Sequence, residues 1–513
     1  MHEGTFRARY EGLWAENPKD QAEPAVWLAV VNLVFAFGYE FVAEQQDNFA
    51  TLAAPFVNRA KDIIVSHMLT STNLHLVQAL LLLCHYLQGT LQLNECWNLV
   101  GLMIRSAVSI GLHLNPTKDG SFSMVAKEER KRAWWGCVVL DRTLSMKFGR
   151  PPSIIFDDAR DVDLPLDVDD QYITEASIAP RQPWGLPPRL SFFIHTIKLS
   201  EIIASVLSRM YGTRRNPQVE TNRNLRWSLC PEDSAKLGNA VLLDGHLQAW
   251  WDAMPLHLKA EPDLLDGRDF QRQRLVIRMR YLQLRLLLQR PSFVLFCKNE
   301  IKDEFLKNVA LSSSQVCIST ARETILLIHR HYDKQLLNSL SYILHYIFTS
   351  LGVLVTVQTM DASLRNLLSS SEDAQALCQG MEFLRSASRN SIIASRYIAM
   401  LSNANKALPP QARIESDCAP LGQARNLQPD RSNTSPAVDE EAVATGSDAA
   451  AEETQANSVP EHSLPQHGGL DGLVNDFDFT QLDSMFSYDL LFGTGLPQEI
   501  VPKDWPPHDG MIL

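Results

Sequence analysis

Three features of this 513-residue sequence predict an all-α protein. Apolar residues recur at helical spacing through long stretches, alternating strand patterns are absent, and glycine and proline fall at the ends of the periodic stretches. With 45% hydrophobic and 21% charged residues, the chain has the apolar material for a large buried core. The fold expected is a large multi-helix domain over residues 1–407, a disordered linker over 408–469 and an acidic, aromatic segment over 470–513.

Taken in order, Glu23-Pro24 places proline in the tolerated first turn of a helix that Gly38 should stop. Met68–Gln88 follows, with Ser71 or Thr72 as cap and Gly89 as terminator. Both helices are apolar on nearly every side, which predicts burial. Asn32 interrupts the first, and Gln78 and His85 the second, so neither reaches the roughly 18 apolar residues of a membrane span; no membrane partner is expected. Glu95–Ile110 should be capped by Asn94, and its apolar face is Trp97, Val100, Ile104, Ala107 and Val108. Gly111 suits the left-handed position past its end, and Pro116 blocks resumption.

The next helix runs from about Met124 to Met146. Its first turns, Lys127 to Arg132, read as solvated, Ala133 to Leu140 is apolar all round, and Asp141-Arg142 then sets charge beside that segment. A charge so placed needs a partner, since a lone buried charge costs several kcal/mol. Arg105, Arg130 and Arg150 are the expected partners of Asp141 in a structural ion-pair network. Phe156 to Pro188, with seven aspartates between Asp157 and Asp170 and then Pro180, Pro183, Pro187 and Pro188, reads as an ordered surface crossing. Helical patterns return at Leu190–Tyr211, Ser234–Ala253 (stopped by Pro255), Phe270–Gln289 (stopped by Pro291), Ser314–Arg330, Gln335–Gln358 and Ser371–Ala407.

Beyond Leu408 the composition changes. No aromatic residue occurs between Tyr397 and Phe477, and such a stretch cannot bury enough apolar surface to offset its ordering entropy. From Ser432 onward there are 15 acidic residues and one basic one, a net −14 within a chain total of −12, so the preceding residues carry +2. Aromatics then return beside acids: Phe477, Phe479, Leu482, Phe486, Leu490, Leu491 and Phe492. Phe479, Leu482, Phe486 and Leu490 stand at i, i+3, i+7 and i+11, one face of an induced helix that would enter a hydrophobic groove of a coactivator or of the general transcription machinery. The alternative is docking of this segment on its own body.

Reagents for catalysis do not stand out. The sequence holds no Gly-rich phosphate loop, HExxH pair or nucleophile elbow, so no enzyme is expected. Asp161 and Asp163 are followed by Leu164-Pro165 where a calcium loop needs glycine, and the run reads as a solvated acidic loop without a metal. The eight cysteines are scattered and include no C-x2-C pair, which suits reduced, mostly buried thiols of an intracellular protein. The first sixteen residues carry no apolar core behind a basic start, so no secretory signal is expected. The six arginines between Arg272 and Arg290 fit stems covering a packed helix, with nucleic-acid binding as the competing reading. His113, past a helix C-terminus, reads as structural.

One combination of motifs is specific. Trp97 leads a helix ending Gly111-Leu112-His113; then come Glu129-Arg130-Lys131-Arg132, Trp134-Trp135, Leu140-Asp141-Arg142, Ser145 and Gly149-Arg150-Pro151. With Val31 to Ala36, Gln78 to Leu82, Trp250-Trp251 before Met254-Pro255, and Leu286 to Pro291, this resembles the middle homology region of fungal-specific transcription factors over roughly residues 5–405. The resemblance implies an all-α regulatory domain of a nuclear regulator of RNA polymerase II genes, often in a catabolic or secondary-metabolite pathway. It implies a family partner or homodimer, a small-molecule effector, and DNA contact through an N-terminal zinc binuclear cluster or through a partner. The chain enters the regulatory region almost at Met1, so zinc is expected only where such a cluster precedes it. The alternative expectation is an interaction or dominant-negative protein that does not bind DNA alone.

Overall fold

The structure is a computed structural model, and it describes residues 1–406 apart from 15–24, 43–48, 71, 89–91, 155–160, 212–230, 260–266, 300, 333–335, 338–339, 361 and 390. The expectations for 408–469 and 470–513 fall outside the described residues, as does Gly89. Among the described residues there are fifteen α-helices and no strand. In chain order they are α1 (Glu3–Gly12), α2 (Ala25–Val42), α3 (Phe49–His67), α4 (Leu74–Leu87), α5 (Leu93–Ser109), α6 (Met124–Phe148), α7 (Ser191–Met210), α8 (Pro231–Asp252), α9 (Leu256–Lys259), α10 (Arg268–Cys297), α11 (Glu304–His331), α12 (Leu340–Thr359), α13 (Ala362–Leu368), α14 (Ser371–Ala387) and α15 (Ile392–Lys406).

Helices α2 to α6 form one core. The almost unbroken apolar surface of α2 packs against α3 and α4, α4 packs against α5, and α6 lies across both α4 and α5. Leu33, Leu76, Leu80, Leu83, Trp134 and Trp135 are buried at its centre. A second core joins α7, α8 and α10 through Leu243, Leu247, Trp250, Tyr281 and Leu284. Helices α11 and α12 continue from α10, and α14 and α15 close on them. Helix α7 is long and apolar enough to cross a membrane by length and composition, but half of that span is buried, and it packs on α6, α8 and α10 as a core helix.

Several boundaries depart from the sequence reading. Gly38 does not stop α2, which continues to Val42. An interior glycine costs only about 1 kcal/mol, less than the burial of a single large side chain returns. Neither Ser71 nor Thr72 caps α4; Asn73 does, its side-chain oxygen accepting from the Leu76 amide at 3.0 Å. Asn94 lies inside α5, whose N-cap position is Gln92, a residue that does not cap the helix with its side chain. Pro291 does not stop α10, which runs on to Cys297. Ser371–Ala407 is two helices, parted where Ser388 bonds the Arg385 carbonyl and Ser391 accepts from the Ala394 amide. Helices α1 and α3 had not been expected at all; α1 buries little of itself and α3 carries Pro55 in its interior.

The first turns of α6 are not solvated. Glu128 is inaccessible, Lys131 and Arg132 are buried, and these charges hold the following crossing in place. Glu128 pairs with Lys131 and accepts from the Leu166 amide at 2.9 Å, while Lys131 donates to the Leu164 carbonyl. Arg132 pairs with Asp170 at 2.5 Å, and Asp170 also accepts the Glu3 amide. The acidic crossing is thereby a strap stitched to α6, with Asp167 accepting from the Ser191 hydroxyl at the start of α7.

Candidate functional site

The motif residues gather along α6. Helix α5 ends with Gly111 at φ +69° and the Leu112 amide reaching back to Ala107 at 3.0 Å, the left-handed turn that glycine alone adopts without strain. Arg130 donates to the free carbonyl of Ile110 at 2.6 Å and covers the Phe122 ring. His113 packs on Trp134 with ring centroids 6.2 Å apart. Trp135 donates its indole N–H to the Asp163 carbonyl at 3.1 Å, so the paired tryptophans, about 100° apart around the helix, fix the α5 end and the strap respectively. Helix α6 ends as α5 does, with Gly149 at φ +63° and the Arg150 amide on the Ser145 carbonyl at 3.1 Å. Arg150 then lies over the Trp97 and Phe148 rings, at 5.1 and 5.9 Å, ahead of Pro151.

Asp141 corrects the sequence reading. Among the described residues no arginine hydrogen-bonds or ion-pairs with it. Its carboxylate is inaccessible and accepts the Ser153 amide at 3.1 Å and the Ile154 amide at 2.9 Å, capping the chain that leaves Gly149-Arg150-Pro151. Burial raises its pKa; the two amides and the neighbouring Arg142 charge oppose that rise. Arg142 donates to Ser200 of α7 at 3.2 Å, Arg130 is engaged at the Ile110 carbonyl, and Arg150 lies over Trp97. A turn, and not an ion-pair network, is what the Asp-Arg pair organises.

The arginines of α10 are spent on the bundle. Arg278 pairs with Glu323, Arg285 grips Asp244 through two bonds of 2.9 and 3.0 Å, and Arg274 caps the His257 carbonyl at 2.7 Å. Among the described residues no cluster of three His, Cys, Asp or Glu side chains stands in a metal-binding arrangement.

A polar set that the sequence reading missed joins the ends of α4 and α6 to the start of α12. Gln88 at the end of α4 accepts from the Tyr342 hydroxyl at 2.5 Å through its side chain and from Lys147 at 3.4 Å through its carbonyl, and its amide meets His85 at 3.4 Å. Lys147 lies over the Tyr342 ring at 5.4 Å. Arg280 of α10 donates to Thr196 at 2.9 Å, and its charge acts on His85, Tyr342 and Tyr346. Desolvation lowers the pKa of His85 to about 4, with Arg280 adding to it, and of His345 to about 3, with Lys147 and Arg290 adding; it lowers Lys147 to about 8. Tyr342 is pushed up by the same burial. His85 and Gln78 had been read as mere interruptions of an apolar run; the signal available was that two polar residues recur on one face of an otherwise apolar helix.

The fungal specific transcription factor family matches residues 1–252, the span that contains every helix from α1 to α8. Residues 1–252 are a fungal specific transcription factor domain. The chain is 26% identical over 377 residues to "Transcription factor FBD3" of Gibberella moniliformis, covering 68% of this chain and 46% of that protein. It is 25% identical over 284 residues to "Activator of stress genes 1" of Saccharomyces cerevisiae, covering 55% and 28%. It is 27% identical over 269 residues to an "ABC-transporter-regulating transcription factor" of Aspergillus fumigatus, covering 51% and 27%. The chain spans less than half the length of these curated relatives. The matching family and these relatives are described as transcription factors, not as enzymes.

Proposed function

We propose that this chain regulates transcription in the nucleus, with the helical body carrying the regulation and the acidic C-terminal segment carrying recruitment. The fungal transcription factor domain supports the first half of this reading, and relatives described as regulators of stress genes and of transporters support a regulator of a defined gene set. The observation that carries the second half is the aspartate-flanked series Phe479, Leu482, Phe486 and Leu490. Docked in a groove, those four side chains bury one continuous face, while the neighbouring acids keep them solvated before binding. Residues 470–513 fused to a neutral DNA-binding domain should activate a reporter, and Phe479→Ala with Phe486→Ala should silence it. A fusion that accumulates and stays silent excludes the recruiting role.

A further inference from the structure

The break between α13 and α14 carries chemistry that a helix cap does not use. It reads Leu368-Ser369-Ser370-Ser371-Glu372-Asp373, and all of its serines are exposed. Ser370 is the N-cap of α14: its oxygen accepts the Glu372 amide at 3.1 Å, and Asp373 accepts the Ser370 amide at 2.7 Å. The same oxygen also receives Arg322 of α11 at 2.9 Å, and Arg322 reaches Asp373 at 2.8 Å and Glu372 at 3.4 Å. Beside them an open cleft of about 460 Å³ is lined by Gln315, Ser319, Arg322, Leu368 and Ser370. Neither the cap nor its reciprocal carboxylate calls for that arginine or for that space. Serine with an acid three residues on is a charge pattern that the basic substrate groove of an acid-directed kinase selects. Among the described residues Thr320, Ser369 and Ser370 have an acid at that spacing, and Thr320 is buried. Of the two exposed serines, Ser370 is the one that lines the cleft and touches Arg322.

We propose that Ser370 is a phosphorylation site for an acid-directed serine kinase, and that its phosphate seats in this cleft against Arg322. In the transfer the Ser370 oxygen forms a bond to the γ-phosphorus of ATP, the bond from that phosphorus to the bridging oxygen breaks, ADP leaves, and the hydroxyl proton passes to the kinase. Access comes from local opening: α13 has seven residues, too few to hold a helix unaided, and Asp373 is presented once the first turn of α14 loosens. A phosphate dianion takes a guanidinium more strongly than a hydroxyl does and can bind it through two parallel bonds. Arg322 therefore turns from Glu372, its longest contact here, and Glu372 is repelled by the dianion beside it. The exchange resets the polar tie between α11 and the start of α14, to which Gln315 of α11 adds a bond to the Leu367 carbonyl at 3.4 Å. The inference stands apart from the recruiting role of the C-terminal segment.

The test incubates the full chain with casein kinase II and magnesium ATP and maps the phosphopeptides, which separates this break from acceptors in the acidic C-terminal segment. Ser370 should carry phosphate, and Asp373→Asn should slow its labelling at least about tenfold by removing the acid the kinase reads. The seat is read by phosphorus NMR of the folded, phosphorylated chain, from the resonance that the Ser370→Ala chain lacks. Arg322→Gln should raise the pKa of that phosphate by about half a pH unit, with Arg322→Lys falling in between. Label absent from Ser370, label on Ser369 or Ser371 in its place, a rate untouched by Asp373→Asn, or a phosphate whose pKa ignores both Arg322 variants overturns the inference.

Discussion

The hydroxyl of Tyr211 donates to the carbonyl of Leu287 at 2.7 Å, in the place of the amide that Pro291 does not have. A proline inside a helix leaves the carbonyl four residues earlier without its partner. Here a side chain from just beyond α7 supplies the donor, and α10 runs through the proline for two more turns.

Tyr211→Phe should accordingly cost about 1–2 kcal/mol by leaving that carbonyl unsatisfied. In a Pro291→Ala background the restored amide takes over and the cost should shrink. Urea unfolding of the four variants measures both values, and an identical cost in the two backgrounds removes the explanation.

Asp141 gives a graded expectation. Asp141→Ala strands two amides and should destabilise by about 2–4 kcal/mol. Asp141→Asn keeps one acceptor and loses a charge that burial already disfavours, so its cost should be about half as large. Thermal melting ranks them; equal losses would show that the charge itself matters, as an ion-pair network requires.

Stability should decline as pH falls below the ordinary histidine range. Unfolded His85 and His345 take up protons near pH 6.5, whereas in the fold they resist until about 4 and about 3. Between those values the unfolded state binds more protons, so acid favours it. Urea midpoints followed from about pH 7.5 to about 5.5 should show this slope, and His85→Asn with His345→Gln should flatten it. Asp141, raised by burial, acts in the opposite sense. A slope untouched by the double variant assigns the effect elsewhere.

Gly149→Ala should cost about 1–2 kcal/mol, because φ of +63° places a Cβ against the backbone even though no neighbouring atom crowds it. Gly101→Ala, in an α5 interior with equal space, should be neutral or slightly stabilising. Melting temperatures of the pair separate backbone strain from packing.

Features decided within a few residues were legible. The left-handed end at Gly111 and the helical class follow from local rules that act over one or two turns. Features decided by distant neighbours were not. The polar residues Lys127 to Arg132 read as a wet face because nothing nearby in sequence announces Asp170 or the Leu166 amide as partners. Pro291 read as a stop because its rescuer lies 80 residues earlier; the Tyr211–Leu287 bond itself spans 76.

By itself, then, the sequence determined the all-α class, the motif framework around α6 and the regulatory family that the framework marks, because periodicity, caps and glycine turns are short-range physics. Only the tertiary structure decided that Asp141 holds a turn, that the acidic crossing is a strap, and that Gln88, Lys147 and Tyr342 meet. Those outcomes depend on which helices converge, and a buried polar group shows its purpose only when its partners arrive from remote parts of the chain.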